Sequence, residues 1–259
     1  MTILSKSVLT LFFVFSLCIA FAIPPKQEFY EIKVYHFKTV EQEQAIDAYL
    51  KNALLPALHR AGVKNVGAFK PIEQDTADSK IFVITPYASL DQILSIQAKV
   101  NADKQYTANG AAFLDAPWSS PMFLRLETMY LKAFSHQPVL QTPQLKGSRN
   151  ERVYELRSYE SHSEKIFRNK VHMFNEGGEV ALFKRLNFNA VFYAEVLAGS
   201  RTPNLMYMTT FENRTERDAH WKTFVDDPEW KKLSSMPEYQ KNVSKADIFL
   251  LRPTDYSDY

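Results

Sequence analysis

The chain has 259 residues, with 31 Lys and Arg against 29 Asp and Glu, and a formal net charge of +2. So even a balance gives no field that would recruit nucleic acid or an anionic membrane surface. Seven Gly in the whole chain leave no Gly-rich phosphate loop, and neither dinucleotide nor P-loop spacing occurs.

The N-terminal stretch carries Lys6 as its only charge, an apolar run over 8–20, and the small-residue pattern Ala20-Phe21-Ala22 before Pro24-Pro25. That pattern predicts a secretory signal peptide over 1–22 and an exported protein, periplasmic or secreted. The apolar run is too short to span a bilayer, which takes about 20 residues, so no stable membrane insertion is expected after cleavage. A lipoprotein is the competing reading because of Cys18, but Leu17 is bulkier than the small residue such processing wants. Cleavage after Ala22 removes Cys18, the single cysteine, and with it disulfides and thiol chemistry.

From there the hydrophobic periods alternate. A strand is predicted over 29–37, a helix over 41–61 stopped by Gly62, strands over 63–69 and 80–87, a helix over 89–101 capped by Ser89 and Gln92, and a strand over 122–131. Residues 135–150 contain Pro138, Pro143 and Gly147 and read as a linker between a first unit, 23–134, and a second, 151–259. In the second unit a strand is predicted over 152–160. A helix follows from a Ser161 and Glu164 capping box to about residue 185, then strands over 189–197 and 205–211. A helix near 213–215 is interrupted at Asp227-Pro228, and a last strand covers 248–251.

The two units repeat. Tyr30-Glu31-Ile32-Lys33-Val34-Tyr35 matches Tyr154-Glu155-Leu156-Arg157-Ser158-Tyr159 at an offset of 124. The same offset carries 81–87 onto 205–211 and Asp103-Lys104-Gln105-Tyr106 onto Asp227-Pro228-Glu229-Trp230. The order strand, helix, strand, strand, helix, strand is the ferredoxin-like unit, with helices on one face of a four-stranded antiparallel sheet. The other face, expected to carry Tyr35, Val83 and Tyr207, must be buried against a second sheet. The fold class is therefore α+β, two tandem units forming a barrel that closes within the chain or between two chains.

The run Val153-Tyr154-Glu155-Leu156-Arg157-Ser158-Tyr159, with Arg217-Asp218-Ala219-His220-Trp221-Lys222-Thr223-Phe224 and Asp227-Pro228-Glu229-Trp230, resembles the NIPSNAP family. The likeness covers the second unit well and the first more weakly, where Lys104-Gln105-Tyr106 replaces Pro-Glu-Trp. It implies the dimeric α/β barrel fold, whose wider superfamily includes haem-binding enzymes, cofactor-free monooxygenases and small isomerases. It names no reaction, because NIPSNAP members lack an established one.

Two constellations are candidates for chemistry. Arg168, His172, Glu176 and Glu179 share one helical face beside Gly177 and Gly178. His172, Glu176 and Glu179 suit acid and base work or a divalent ion, against the plainer reading of a solvated face with ordinary ion pairs. Each Gly inside a helix costs ~1 kcal/mol, and Pro56 in the first unit points to a shared kink. The second constellation is the charged strand face, Glu155, Arg157 and Tyr159, repeated as Glu31, Lys33 and Tyr35. It is expected to point into the barrel as an ion-pair network aligning the sheets, or as a polar pocket for an anionic or hydroxylated ligand. Tyr154, Arg157, Tyr159 and Tyr207 are the ligand-binding candidates. His220 is a further catalytic candidate, and Trp221, Phe224 and Trp230 read as core.

The expected function is binding or transforming a small apolar or aromatic molecule between helices and sheet of the second unit, with no cofactor or metal named. The alternative is an assembly module that uses the barrel for homo-oligomerisation and has no chemistry.

Overall fold

The computed structural model describes residues 26–259. The signal-peptide reading of 1–22 and the lipidation reading of Cys18 lie outside the described residues.

Alternating residues with strong β preference form β1 (Phe29–Phe37), and Thr39 then caps a helix by accepting from the Gln42 amide. That helix, α1 (Val40–Tyr49), widens into a π-helical stretch, Leu50–Leu54, before α2 (Leu55–Ala61) begins with Pro56 in its first turn. Pro56 has no N–H to donate, so it sits where the chain needs none. Gly62 ends α2 at φ +106°, a conformation that favours glycine. Strands β2 (Gly67–Pro71) and β3 (Ser79–Tyr87) follow, then α3 (Leu90–Asn101), α4 (Lys104–Leu114) and β4 (Arg125–Ala133).

The second unit repeats the order: β5 (Val153–Glu160), α5 (Glu164–Phe174), α6 (Glu179–Arg185), β6 (Phe192–Ala198), β7 (Asn204–Phe211), α7 (Arg214–Asp226), α8 (Pro228–Ser235) and β8 (Lys245–Pro253). The helix caps keep the offset of 124: Thr39 with Ser163, Ser89 with Asn213, and Asp103 with Asp227. Ser163, not Ser161, caps α5, accepting from the Ile166 amide. Ser161 turns its hydroxyl to the Asn242 carbonyl instead, at 2.6 Å. The π-helical stretch of the first unit corresponds to an outright break in the second. There Gly178 caps α6 at φ +93° and a Cβ on Gly177 would lie 2.6 Å from the Met173 carbonyl. The glycine pair therefore makes the break, and it does not contribute a reactive group.

All eight strands close into one antiparallel barrel, in the order β1, β3, β2, β8, β5, β7, β6, β4 and back to β1. Closure is thus made within one chain. Residues 134–152 connect the halves, with Leu140 and Leu145 packed against the lumen cluster, and the Gln141 amide donates to the Val191 carbonyl.

The sheet faces lie opposite to the sequence expectation. Tyr30, Ile32, Val34, Phe82, Tyr154, Leu156, Met206 and Met208 fill the lumen, whereas Tyr35, Val83 and Tyr207 lie under the helices. The physical reason is room: eight strands enclose an interior only wide enough for side chains, which denies charged groups water, while the helices supply them with partners. At one barrel end the His36 ring lies between Asp78 (Nδ1, 2.6 Å) and Glu127 (Nε2, 3.1 Å). Phe69, Tyr154 and Tyr259 pack against one another at the other end of the lumen cluster. No helix among the described residues is long and apolar enough to cross a membrane.

Candidate functional site

The helix-side face of each half barrel places a glutamate on its first strand, Glu31 on β1 and Glu155 on β5, each opposite a threonine on the neighbouring strand, Thr85 and Thr209. The offset that links the sequences links these positions too. What surrounds the two carboxylates differs.

Glu155 is fully buried and saturated. Arg157 Nε donates to Oε1 at 2.6 Å, Arg217 Nε to Oε2 at 2.7 Å and Trp221 Nε1 to Oε2 at 2.8 Å. The Arg157 guanidinium lies 3.6 Å above the Trp221 ring, a cation–π stack. Burial pushes the Glu155 pKa up, but the hydrogen bond from Arg217 and the charges of Arg157 and Arg217 outweigh it, so the group sits below the usual glutamate value. The surrounding volume is occupied by rings: Phe183 against Phe224 at 4.8 Å, Phe188 against Trp221 at 4.9 Å, and Phe183 against Tyr207 at 5.7 Å. Beside Glu155 the pocket expected between helices and sheet of the second unit is therefore filled. The charged strand face there is an ion-pair cluster joining β5 to α7, not one aligning two sheets.

In the first unit the space is open. A pocket of about 250 Å³ lies between α2, α3, α4 and the sheet, walled by Leu54, Leu58, Val83, Ile96 and Val100. Glu31, Lys33, Thr85, Tyr87 and Gln97 supply its polar surface. Glu31 is 4 % exposed. Its Oε2 is 3.4 Å from Lys33 Nζ and 3.5 Å from the Tyr87 hydroxyl; Oε1 has no partner within hydrogen-bond distance among the described residues, with the Tyr130 hydroxyl, from the β4 residue paired with Glu31, near the same carboxylate. The Tyr87 hydroxyl has its pKa raised first by burial and next by the Glu31 charge, as does Tyr130 on β4. A buried acceptor left unmet costs about 1–3 kcal/mol, which a ligand donor would recover.

The pocket exists because three residues of the second unit have smaller or differently shaped counterparts 124 positions earlier: Gln97 for Trp221, Val83 for Tyr207 and Ile93 for Arg217. Gln97 and Ile93 were legible as departures from the repeat.

The sequence candidates lie elsewhere. His172 and Glu176 are exposed on α5 and just beyond it, with His172 Nδ1 2.9 Å from the Tyr239 hydroxyl. Arg168 reaches only Glu164, at 3.5 Å. Glu179 is buried and paired with Lys170 at 2.9 Å, so it does not join His172. His220 turns Nδ1 to the Glu216 carbonyl at 2.9 Å and packs its ring on Phe188 and Phe211. Tyr154 faces the lumen, apart from Arg157, whereas Arg157, Tyr159 and Tyr207 do come together: Arg157 Nη1 donates to the Tyr159 hydroxyl at 2.8 Å, which lies 3.0 Å from that of Tyr207. Among the described residues no group of three or more His, Cys, Asp and Glu is arranged to hold a metal ion.

A larger groove of about 470 Å³ runs between residues 136–144 and α6. None of the unpartnered buried polar atoms among the described residues lines it.

Comparison with known proteins agrees with the architecture. A candidate monooxygenase from Lactobacillus acidophilus NCFM superposes with a TM-score of 0.58 at 11 % identity, covering 88 % of this chain and 94 % of its own. One from Fusobacterium nucleatum gives 0.56 at 6 % identity, covering 88 % and 93 %. An anthrone oxidase-like protein gives 0.53 at 8 %, covering 88 % and 92 %. At these identities the likeness is one of fold. No curated protein matches the chain. Residues 154–258, the second half of this barrel, match the NIPSNAP family model, and the first half has the same topology.

Proposed function

We propose that this protein binds a small, largely apolar molecule in the first unit, between its helices and sheet, with Glu31 as the anchoring acceptor. The observation that carries the reading is the buried Glu31 carboxylate, its Oε1 unmet, in the wall of a pocket of about 250 Å³. Ligand sites are concave, mostly apolar and fitted with a few placed polar groups, and this volume falls just under the common range of about 300–1,000 Å³. The occupant is therefore small. In this reading the second unit is a filled structural counterpart, and the protein acts after export, with cleavage behind Ala22.

Ligand-observed NMR with a panel of small aromatic and aliphatic molecules tests it. Binding to the wild type that disappears in Gln97→Trp, which restores the bulk of Trp221, is the expected result. A panel with no member sensitive to that substitution would overturn the reading.

A second reading, an assembly module, draws support from Trp118, which is 94 % exposed in the connection between α4 and β4. A strict monomer in light scattering at micromolar concentration would contradict it.

A further inference from the structure

We infer that the pocket beside Glu31 takes a flat aromatic ring carrying an N–H donor, the chemical class of indole. This rests on the proposed binding site and specifies what enters it.

The second unit supplies the template. At its matching carboxylate two side chains from α7 meet Glu155: Arg217, which donates to both oxygens at 2.7 and 3.1 Å, and Trp221, which donates one indole N–H at 2.8 Å. In the first unit these two places have different fates. Ile93, which replaces Arg217, is buried in the core, so a guanidinium has no room. Gln97, which replaces Trp221, is shorter than an indole and lines the open pocket. The missing group is thus the ring and its N–H.

The remaining surroundings suit that ring. Lys33 stands where Arg157 stands, and Arg157 stacks on the Trp221 face at 3.6 Å; an ammonium beside an aromatic face is favourable in the same sense. Val83 replaces Tyr207, leaving an apolar wall with space in front of it. An aromatic acid would bring its carboxylate against that of Glu31, a like-charge contact in a buried site. A neutral ring with no donor would leave Oε1 unmet.

Isothermal titration of the full chain with indole and with N-methylindole separates these cases, since the two share a shape and differ in the donor. Indole is expected to bind, and N-methylindole about tenfold more weakly or worse, the usual scale for losing a hydrogen bond to a charged acceptor. Indole binding should vanish in Gln97→Trp. Val83→Tyr, which copies Tyr207, gives the same readout if the first variant does not fold.

Equal binding of indole and N-methylindole would overturn the donor role. Binding of an aliphatic amine or aromatic acid, sensitive to Gln97→Trp, with no binding of indole would overturn the inference and leave the pocket reading standing. The absence of any ligand sensitive to either substitution would overturn both.

Discussion

Glu31 and Glu155 occupy the same place in two copies of one sheet, and their surroundings make opposite demands on stability. Removing the Glu155 charge leaves the buried Arg157 without a counter-ion and Arg217 with only the exposed Asp218, 2.8 Å away. Breaking a buried pair in this way costs about 3–5 kcal/mol, so Glu155→Gln should lose about 3 kcal/mol in urea denaturation. Glu31→Gln removes a carboxylate that is only loosely held, and should change stability by less than about 1 kcal/mol while weakening ligand binding. The pH dependence follows from the lowered pKa of Glu155. A depressed carboxylate contributes in full above its ordinary value, and the contribution is lost as pH falls through the folded-state value. Wild-type stability should therefore drop more steeply than that of Glu155→Gln below about pH 4. The charged strand face was legible from the alternation of Glu155, Arg157 and Tyr159. Its direction was not, because alternation separates two faces without saying which meets the lumen; that is decided by Arg217 and Trp221, more than 60 residues away in sequence.

Helices keep the repeat through their caps more faithfully than through their bodies. Thr39 and Ser163, Ser89 and Asn213, and Asp103 and Asp227 hold their offset even where the helix that follows differs. Helix α4 escaped the periodicity reading because it buries only Tyr106 and Gly110 of its 11 residues and so shows little apolar stripe, yet Asp103, matching Asp227 before Pro228, was the mark of its start. The strands of the first unit were legible to within a few residues, since their apolar runs are bounded by Gly62 and the polar turn at 73–79. The break after α5 was legible from Gly177 and Gly178. Gly178 has open space where a Cβ would go and φ +93°, so Gly178→Ala should cost about 1–2 kcal/mol through backbone strain alone. Thermal denaturation checks this, and an unchanged midpoint would show that α6 can re-form its cap.

At the scale of the whole molecule, closure within one chain was left open by the sequence, because a 16-residue connection serves either arrangement. Register settles it, and also shows where the barrel is weakest. Strand β2 pairs three residues with each neighbour, β3 and β8, and β6 pairs four with each of β7 and β4, against nine between β1 and β3. Hydrogen exchange should find β2 and β6 opening before β1, β3, β5 and β7; uniform protection across all eight strands would contradict this. Such a barrel holds its two halves together by short seams and a filled lumen, while each half keeps its own layer between helices and sheet. The layer is packed with rings beside Glu155 in the second half and hollow beside Glu31 in the first.

Crystals of the full chain soaked with small aromatic fragments would show that asymmetry in one experiment. The prediction is density beside Glu31, with a donor on Oε1, and none beside Glu155. Fragments distributed equally between the halves, or a Glu31 pocket closed by its own side chains, would contradict it.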